Sequence, residues 1–242
     1  MPTVNRGYII PAIGDVYVKC AGQLAESIRA FHPDANITII TADMLPYGDL
    51  GGFVNDWQCY EISPYTETIK LEADMWCASP IGHYWDLFAN RDVVISTGAR
   101  DFYDQPATSR YYRKIFDNNN LPDVYNAITY WRASDTAKEF FALVRDMFEN
   151  WGNYKTLLKL PDAVPTTDVV YAMAAVVMGV ENVTLPNNIA PTIVHMKKHI
   201  IPIVSERWTD ELILERTNPG IRINTVAQWG LVHYHVKEAV DE

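Results

Sequence analysis

Apolar positions in the first 43 residues change from a strand pattern to a helix pattern and back again. Residues 6–13 and 35–43 are short, mainly apolar runs, which is typical of buried strands. Between them, apolar residues recur at helical spacing and predict a helix that ends at Pro33. Its apolar positions are Cys20, Leu24, Ile28 and Phe31. This order predicts two parallel strands joined by a right-handed helical crossover.

The rest of the chain continues the alternation of strand and helix patterns. The predicted strands are residues 67–76, 91–97, 125–134, 182–186 and 191–197. The predicted helices are residues 80–89, with Ser79 as the cap and Pro80 at the first position, then 135–151 and 166–179. A chain of 242 residues with 48% hydrophobic content can bury one sizeable core. We therefore predict a single α/β domain with a mixed, mostly parallel sheet flanked by helices.

The predicted strand at residues 67–76 carries charged side chains on one face. Because side chains alternate along a strand, Lys70, Glu72 and Asp74 fall on the same side. One interpretation is an ordinary half-solvated strand. The other is a metal site, since two carboxylates at a strand end can bind a hard cation such as Mn²⁺ or Mg²⁺. The pair lies at a strand end between two predicted sheet strands, where ligands of such sheets bind.

Charge and cysteine content limit the class of protein. The net charge of −10 argues against binding of polyanions through the overall field, although a local basic patch is compatible with it. Cys20, Cys59 and Cys77 lie far apart without metal-binding spacing, which predicts reduced thiols. The N-terminus lacks the apolar segment of a signal peptide, and the longest apolar run, residues 169–180, is too short to span a bilayer. We expect a soluble, cytoplasmic protein.

Four segments occur in an order that resembles a known family. They are residues 14–28, 64–75, 125–134 and 191–198. Together they resemble the GT-A glycosyltransferases that use nucleotide-sugar donors, particularly glycogenin and the family 8 lipopolysaccharide galactosyltransferases. The resemblance covers roughly residues 7–200, and only these motifs are specific. It implies a Rossmann-related GT-A-like catalytic domain at residues 1–200, with residues 201–242 packing on it as a C-terminal extension.

The resemblance also implies roles for individual residues. It implies that Asp15 and Tyr17 contact the nucleotide base, and that Asn126 and Asp168 are catalytic residues at the donor sugar. It further implies that the donor is contacted by Lys70, Glu72, Lys197 and Lys198. The implied ligands of Mn²⁺ or Mg²⁺ are Glu72, Asp74 and a late histidine, His195 or His233. Each residue has a simpler alternative as well. Tyr17 fits a helix contact, Asp15 and Asp168 fit helix caps, and His195 fits a core histidine.

This chain departs from the family pattern at three places. Glu72 replaces the first aspartate of the metal motif, and Ala127 and Ile128 follow Asn126 where the family has a glycine. The usual C-terminal motif is absent, so the late ligand is either His195 or a histidine of the segment 232–237, "VHYHVK", which contains His233, His235 and Lys237. We favour His195, because its place in the order of motifs matches the late histidine of the family.

The predicted activity is metal-dependent transfer of a hexosyl or pentosyl group from a nucleoside diphosphate, a UDP-sugar by the resemblance, to a hydroxyl acceptor. A divalent cation and a lysine would neutralise the diphosphate as it departs. One alternative is a sugar-phosphate nucleotidyltransferase of similar architecture. Another is a catalytically silent nucleotide-sugar-binding domain, in which Glu72 has replaced a needed aspartate.

A basic and aromatic run at residues 109–116 bears on the acceptor. Arg110, Arg113 and Lys114 alternate there with Tyr111 and Tyr112. Basic groups beside aromatic rings suit a nucleic acid or a phosphorylated acceptor. A hydroxylated DNA base, as in some bacteriophage enzymes, is therefore one candidate acceptor. A solvated charged face near the donor phosphates explains the same pattern, and a glycan, protein or small-molecule acceptor fits equally.

Overall fold

The computed structural model describes residues 5–106, 113–160, 164–186, 189, 191, 193–196 and 212–234. The strands are β1 Arg6–Pro11, β2 Ile37–Ile40, β3 Glu67–Leu71, β4 Met75–Cys77, β5 Val93–Thr97, β6 Ala99–Arg100, β7 Val124–Arg132, β8 Ile193–His195, β9 Leu214–Thr217, β10 Gly220–Ile223, β11 Val226–Ala227 and β12 Leu231–His233. The helices are α1 Asp15–Phe31, α2 Gln58–Ile62, α3 Tyr84–Phe88, α4 Lys114–Asn118, α5 Asp135–Glu149, α6 Trp151–Leu158, α7 Thr167–Met178 and α8 Val180–Val183. Short 3₁₀ helices lie at Ala42–Met44 and Gly52–Asn55.

The central sheet has five strands in the order β2-β1-β3-β7-β5. β1 pairs in parallel with both β2 and β3, whereas β7 runs antiparallel to β3 and β5. The predicted strand–helix–strand opening and the mixed, mostly parallel sheet are therefore confirmed. The carboxyl ends of β1 and β3 and the beginning of β7 meet at one edge of this sheet.

Both faces of the central sheet are covered. Ile10 of β1 packs with Leu24 of α1 on one face, and the neighbouring Ile9 packs with Phe140 of α5 and Val170 of α7 on the other. Successive side chains of a strand point to opposite faces, which explains this division. Two-sided cover also explains why every residue of β3 is buried.

Two further sheets are built from the later part of the chain. The larger has the order β4-β12-β8-β6, and the smaller is the antiparallel arrangement β11-β10-β9. β12 pairs with β4 on one side and with β8 on the other, and Leu231 and Val232 join the same core cluster as α1. The predicted domain boundary at residue 200 lies outside the described residues.

The strand predicted at residues 67–76 is divided between two sheets, which corrects the sequence interpretation. β3 ends at Leu71 in the central sheet, and β4 starts at Met75 in the other. In the residues between, the backbone N–H of Glu72 donates to the Ala127 carbonyl at 3.3 Å, and the carbonyl of Asp74 accepts from Tyr234 at 3.0 Å. The two carboxylates thus occupy a crossover between two sheets and not one continuous strand.

The helix predicted to begin at Pro80 begins later, with His83 as the N-cap of α3. The Ser79 hydroxyl accepts a hydrogen bond from the Gly230 N–H at 2.7 Å and does not cap a helix. The Ile81 N–H donates to the His32 ring at 2.9 Å. These bonds to residues outside the segment fix Ser79 and Ile81, and α3 begins only after them.

Two other local predictions are also corrected. Residues 182–186 were predicted as a strand, but Val183 ends the short helix α8, where the Thr184 hydroxyl donates to the Val180 carbonyl at 2.7 Å. The helix predicted at 135–151 is broken at Asn150, which separates α5 from α6. In the described part of the chain, no helix has the length and apolar character needed to cross a membrane. The three cysteines are buried free thiols.

Candidate functional site

A cleft of about 830 Å³ opens at the edge where β1 and β3 end and where β7 and α7 begin. Its wall includes Tyr17, Asp56, Glu72, Asp74, Arg113, Asn126, Asp168, His195 and His233. These residues come from eight separate places in the chain, which the fold brings together. Most of the described residues that the sequence singled out therefore face one cavity.

Glu72, Asp74 and His233 form the group in this cleft best suited to hold a cation. The Nε2 atom of His233 lies 3.3 Å from Glu72 Oε2 and 3.2 Å from Asp74 Oδ1. One ligand atom of each of the three residues lies within 4.8 Å of the other two. A divalent ion could therefore be reached by all three with small rotations of the side chains.

Strand order decides which histidine joins the carboxylates. β12 lies between β4 and β8, and its His233 is paired in register with Met75 on one side and with His195 on the other. Asp74 directly precedes Met75, so His233 is one strand closer to the carboxylates than His195 is. Adjacent strands are about 4.8 Å apart. The structure thus brings His233 into the group, in contrast to our preference for His195.

His195 is buried behind this group. Its ring stacks on that of His233, with ring centroids 5.1 Å apart and planes inclined by 6°. The ring of Tyr125 meets it edge-on at 5.7 Å. This contact pattern supports the His233 ring from behind and fixes its plane.

The environment of Glu72 affects its protonation. Burial raises the pKa of Glu72 above its ordinary value, and the negative charges of Asp74 and Asp168 add to that rise. His233 and Lys70 act in the opposite direction and lower the pKa. A cation bound beside Glu72 would favour its ionised form in the same way as these two groups.

Asp168, at the start of α7, projects a carboxylate into the same cleft. Its Oδ1 atom accepts a hydrogen bond from the Asn126 backbone N–H at 2.8 Å. Its Oδ2 atom accepts from Arg113 Nη1 at 2.9 Å. No side-chain cap bond is found at Thr166, the N-cap of this helix. Asp168 therefore joins α7 to β7 and to Arg113, which lies just before α4.

Asn126 and Lys70 both connect to Asp56, a residue that the sequence analysis did not identify. Asp56 Oδ1 lies 2.7 Å from Lys70 Nζ, and its Oδ2 accepts from Asn126 Nδ2 at 3.1 Å and from the Tyr171 hydroxyl at 2.6 Å. Lys70 is fully buried and lies outside the cleft wall. The side-chain Oδ1 atom of Asn126 accepts from the Thr129 hydroxyl at 2.8 Å. These bonds fix the floor of the cleft.

The predicted base-binding residues lie in the first turn of α1. Gly14 precedes α1 at a φ of 97°, in the left-handed region that favours glycine, and turns the chain sharply into the helix. Tyr17 is partly exposed and lines the cleft, whereas Asp15 is exposed in the first turn of α1 and lies outside the wall. The structure therefore places Tyr17, but not Asp15, directly in the cavity.

The basic residues proposed for a DNA acceptor do not form a described surface. Arg113 is buried among protein acceptors, and Lys114 is exposed. Arg110 lies outside the described residues, as do the predicted phosphate contacts Lys197 and Lys198 and the alternative site residues His235 and Lys237. The burial of Arg113 removes one of the three cations on which the DNA hypothesis depended.

The described architecture is similar to that of several solved proteins. One is the galactosyltransferase LgtC in complex with donor and acceptor sugar analogues. The match covers 95% of this chain and 87% of LgtC, with 12% sequence identity and a TM-score of 0.53. Another is a glycosyltransferase involved in the glycosylation of the major capsid of PBCV-1. The match covers 97% of this chain and 98% of that protein, with 11% sequence identity and a TM-score of 0.54. A third is mouse xyloside xylosyltransferase 1. The match covers 96% of this chain and 98% of that protein, with 9% sequence identity and a TM-score of 0.53.

The chain has the GT-A glycosyltransferase fold. The predicted fold class is thereby confirmed. No family model matches the sequence, and no curated protein matches it. The GT-A fold therefore rests on the three-dimensional comparison, because sequence identity to these three solved structures is only 9–12%.

Glycosyltransferases of the GT-A fold commonly use a divalent metal ion, and the residues of this cleft fit one. Two carboxylate oxygens and one imidazole nitrogen form a donor set that a divalent metal ion can take. The close approach of three polar side chains at a cleft wall is what such an ion requires.

Sequence reasoning missed the roles of Asp56 and Arg113. Asp56 follows a glycine-rich loop and has no local pattern that distinguishes it from a solvent-exposed loop residue. Arg113 lies in a basic, aromatic run, and this composition suits either a surface for nucleic acid or a solvated charged face. Both residues are defined by partners that are distant along the chain, and no local signal predicts those partners.

Proposed function

We propose that this protein is a metal-dependent glycosyltransferase that moves a sugar from a nucleoside diphosphate, with UDP as the expected nucleotide, to a hydroxyl group of an acceptor. The observation that carries the proposal is the meeting of Glu72, Asp74 and His233 in one cleft of a GT-A fold. In this assignment Glu72 and Asp74 supply oxygen ligands to Mn²⁺, and His233 supplies its Nε2 atom.

The charge of the cleft supports a role for the metal. Asp56, Glu72, Asp74 and Asp168 all face the cavity, and their negative charges would repel a diphosphate. Arg113, the cation in the described part of the wall, is already paired with Asp168. A bound divalent ion supplies Lewis-acid stabilisation of the negative charge that develops on the leaving diphosphate. The chain would hold that ion through the carboxylates that otherwise exclude the donor.

Other residues of the cleft would orient the donor. Tyr17 presents a partly exposed ring to the cavity, and a nucleotide base can stack on such a ring. Asp168 would accept hydrogen bonds from hydroxyl groups of the sugar, because a carboxylate can accept about four hydrogen bonds and two are already made inside the protein. Asn126, fixed by Asp56 and Thr129, shapes the wall beside it.

Calorimetric titration with UDP tests the proposal directly. We expect UDP to bind in the presence of Mn²⁺ with a dissociation constant about 100-fold lower than in the presence of a chelator, a difference of about 2.7 kcal/mol. The reason is that the donor phosphates meet the carboxylates chiefly through the ion. Adenosine diphosphate titrated under the same conditions controls for unspecific capture of a metal–phosphate complex.

Equal affinity for UDP with Mn²⁺ and with chelator would contradict the assignment of the metal site. Hydrolysis of UDP-glucose or UDP-galactose without acceptor then separates an enzyme from a silent binding domain. We expect release of UDP to depend on Mn²⁺. Nucleotide binding with no release of UDP would indicate the silent domain.

Replacement of each histidine by alanine distinguishes the third ligand. We expect His233→Ala to raise the Mn²⁺ concentration needed for half-maximal UDP binding about 10- to 100-fold, because it removes a nitrogen that faces both carboxylates. His195→Ala should raise this requirement by a smaller factor than His233→Ala does, since His195 supports the His233 ring by stacking. A larger effect of His195→Ala would restore our original preference and contradict the present one.

A further inference from the structure

We propose that Arg113 is a positioning residue that holds Asp168 for the sugar end of the donor. This inference rests on the proposed function, because it assigns a task to one wall of the same cleft. It differs from both roles that the sequence pattern offered for this residue, which were contact with a nucleic acid and a solvated charged face. Arg113 acts on the donor through Asp168 and does not contact the reacting atoms itself.

The contacts of Arg113 are those of a fixed structural fork. The side chain is buried, and its three nitrogens donate to three different acceptors: Nη1 to Asp168 at 2.9 Å, Nε to the Asp123 carboxylate and Nη2 to the Val124 carbonyl. An arginine fork with every nitrogen in use has little freedom to rotate. The guanidinium therefore has one defined position relative to the beginning of β7.

Aromatic rings cover the guanidinium and restrict it further. Its carbon lies 3.9 Å from the centroid of the Phe116 ring and 4.0 Å from that of Tyr125. Burial acts to lower the pKa of Arg113, but the charges of Asp168 and Asp123 more than offset it, so the pKa is raised. Arg113 thus stays positively charged, and Asp168 is paired with a permanent cation.

Asp168 is held from two sides as a result. Arg113 binds its Oδ2 atom, and the Asn126 backbone N–H binds its Oδ1 atom, so neither oxygen can turn away from the cleft. About a third of the Asp168 side chain is exposed, which leaves lone pairs directed into the cavity. Lone pairs of a carboxylate accept hydrogen bonds from hydroxyl groups, whereas they repel a diphosphate. The held carboxylate therefore fits the sugar part of the donor.

The experiment compares a ligand with the sugar against a ligand without it. Calorimetry in Mn²⁺ measures the dissociation constants of UDP and of UDP-glucose, UDP-galactose and UDP-xylose for the full chain. The sugar ester that the wild type binds most tightly is then used for all variants. We expect Arg113→Lys to weaken binding of this ester about tenfold relative to UDP, because lysine keeps the charge but loses the fork. UDP affinity should stay within about twofold of the wild type, since no proposed UDP contact is removed.

Arg132→Lys is the matched control. Arg132 forms a comparable fork with the Asp92 carboxylate and with the carbonyls of Ala89 and Arg91, at the far end of β7 from the cleft. We expect this variant to leave unchanged the ratio of the dissociation constant of the sugar ester to that of UDP. Asp123→Asn leaves the Arg113 side chain present but removes one of the two carboxylates with which it pairs. This variant should change the same ratio in the same direction as Arg113→Lys, by a smaller factor. This milder variant tests the inference if Arg113→Lys fails to fold.

A double-mutant comparison separates positioning from general structural damage. In the Asp168→Asn background, Arg113→Lys should cause no further loss of the ratio, because the residue through which it acts has already been altered. Equal losses from Arg113→Lys in both backgrounds, or an unchanged ratio in Arg113→Lys or Asp123→Asn, would overturn the inference and leave the proposed function intact. A wild type that does not bind UDP in Mn²⁺ would overturn both. A wild type that binds UDP and every sugar ester equally would overturn the inference alone.

Discussion

Asp74→Ala is expected to raise the dissociation constant for Mn²⁺ by about 100-fold or more and to abolish Mn²⁺-dependent hydrolysis of the nucleotide sugar. Partners that merely orient metal ligands are worth 10- to 100-fold in affinity, so loss of a proposed ligand should cost at least as much. The fold should persist, because Asp74 lies in the crossover between two sheets and its backbone carbonyl, which bonds to Tyr234, is retained. Titration of Mn²⁺ followed by calorimetry, together with thermal unfolding, measures both effects.

Two variants act as controls for this result. Glu72→Asp restores the residue usual in the family that the sequence resembles, and it should retain measurable Mn²⁺-dependent activity. Asp34→Ala removes an exposed carboxylate that follows α1, and it should leave metal affinity unchanged. Full activity of Asp74→Ala would refute the assignment of the ligand, and unfolding of this variant would instead indicate a structural role for the carboxylate.

Asp56→Ala is expected to lower the free energy of unfolding by about 3–5 kcal/mol, the largest stability loss that we anticipate from one side chain. Lys70 has 1% of its side chain exposed and pairs with Asp56 at 2.7 Å. Without Asp56, a buried ammonium would lack this counter-charge, and Asn126 and Tyr171 would lose an acceptor as well. Urea unfolding followed by tryptophan fluorescence gives the free energy.

The stability effect should depend on which partner is removed. Lys70→Met should cost less than Asp56→Ala, because methionine suits a buried site and Asp56 keeps two hydrogen-bond donors. Asp92→Ala removes a carboxylate from the more exposed ion pair with Arg132, and it should cost less than about 1 kcal/mol. Equal losses in Asp56→Ala and Asp92→Ala would show that burial of the pair does not control its contribution.

Elements with a strong local pattern could be predicted from the sequence. α1, α5 and α7 bury an apolar side against a sheet, and β1, β2, β5 and β7 are runs of apolar residues, so hydrophobic periodicity alone places them. The ends of these elements were less predictable. Asn150 breaks one predicted helix, and the Ser79–Gly230 bond prevents another from starting at Pro80. Both differences arise from backbone geometry or partners that periodicity does not report.

The candidate site could also be predicted only in part from the sequence. Glu72 and Asp74 are one residue apart, so their proximity needs no tertiary information. The choice between His195 and His233 does need it, because each lies in a short strand with a similar local pattern. Only the order β4-β12-β8 determines that His233 is adjacent to the carboxylates.

The sequence by itself determined that the chain forms an α/β domain with a carboxylate pair at the end of a sheet strand, because periodicity and close spacing are local properties. The tertiary structure alone decided where the strand at residues 67–76 divides, which histidine approaches the carboxylates, and which charges pair. Arg113 meets Asp168 from 55 residues away, and Asn126 meets Asp56 from 70 residues away. Contacts of this kind depend on the order in which strands assemble and on the need to pair buried charges. These requirements apply to the packed chain as a whole and leave no local trace in the sequence.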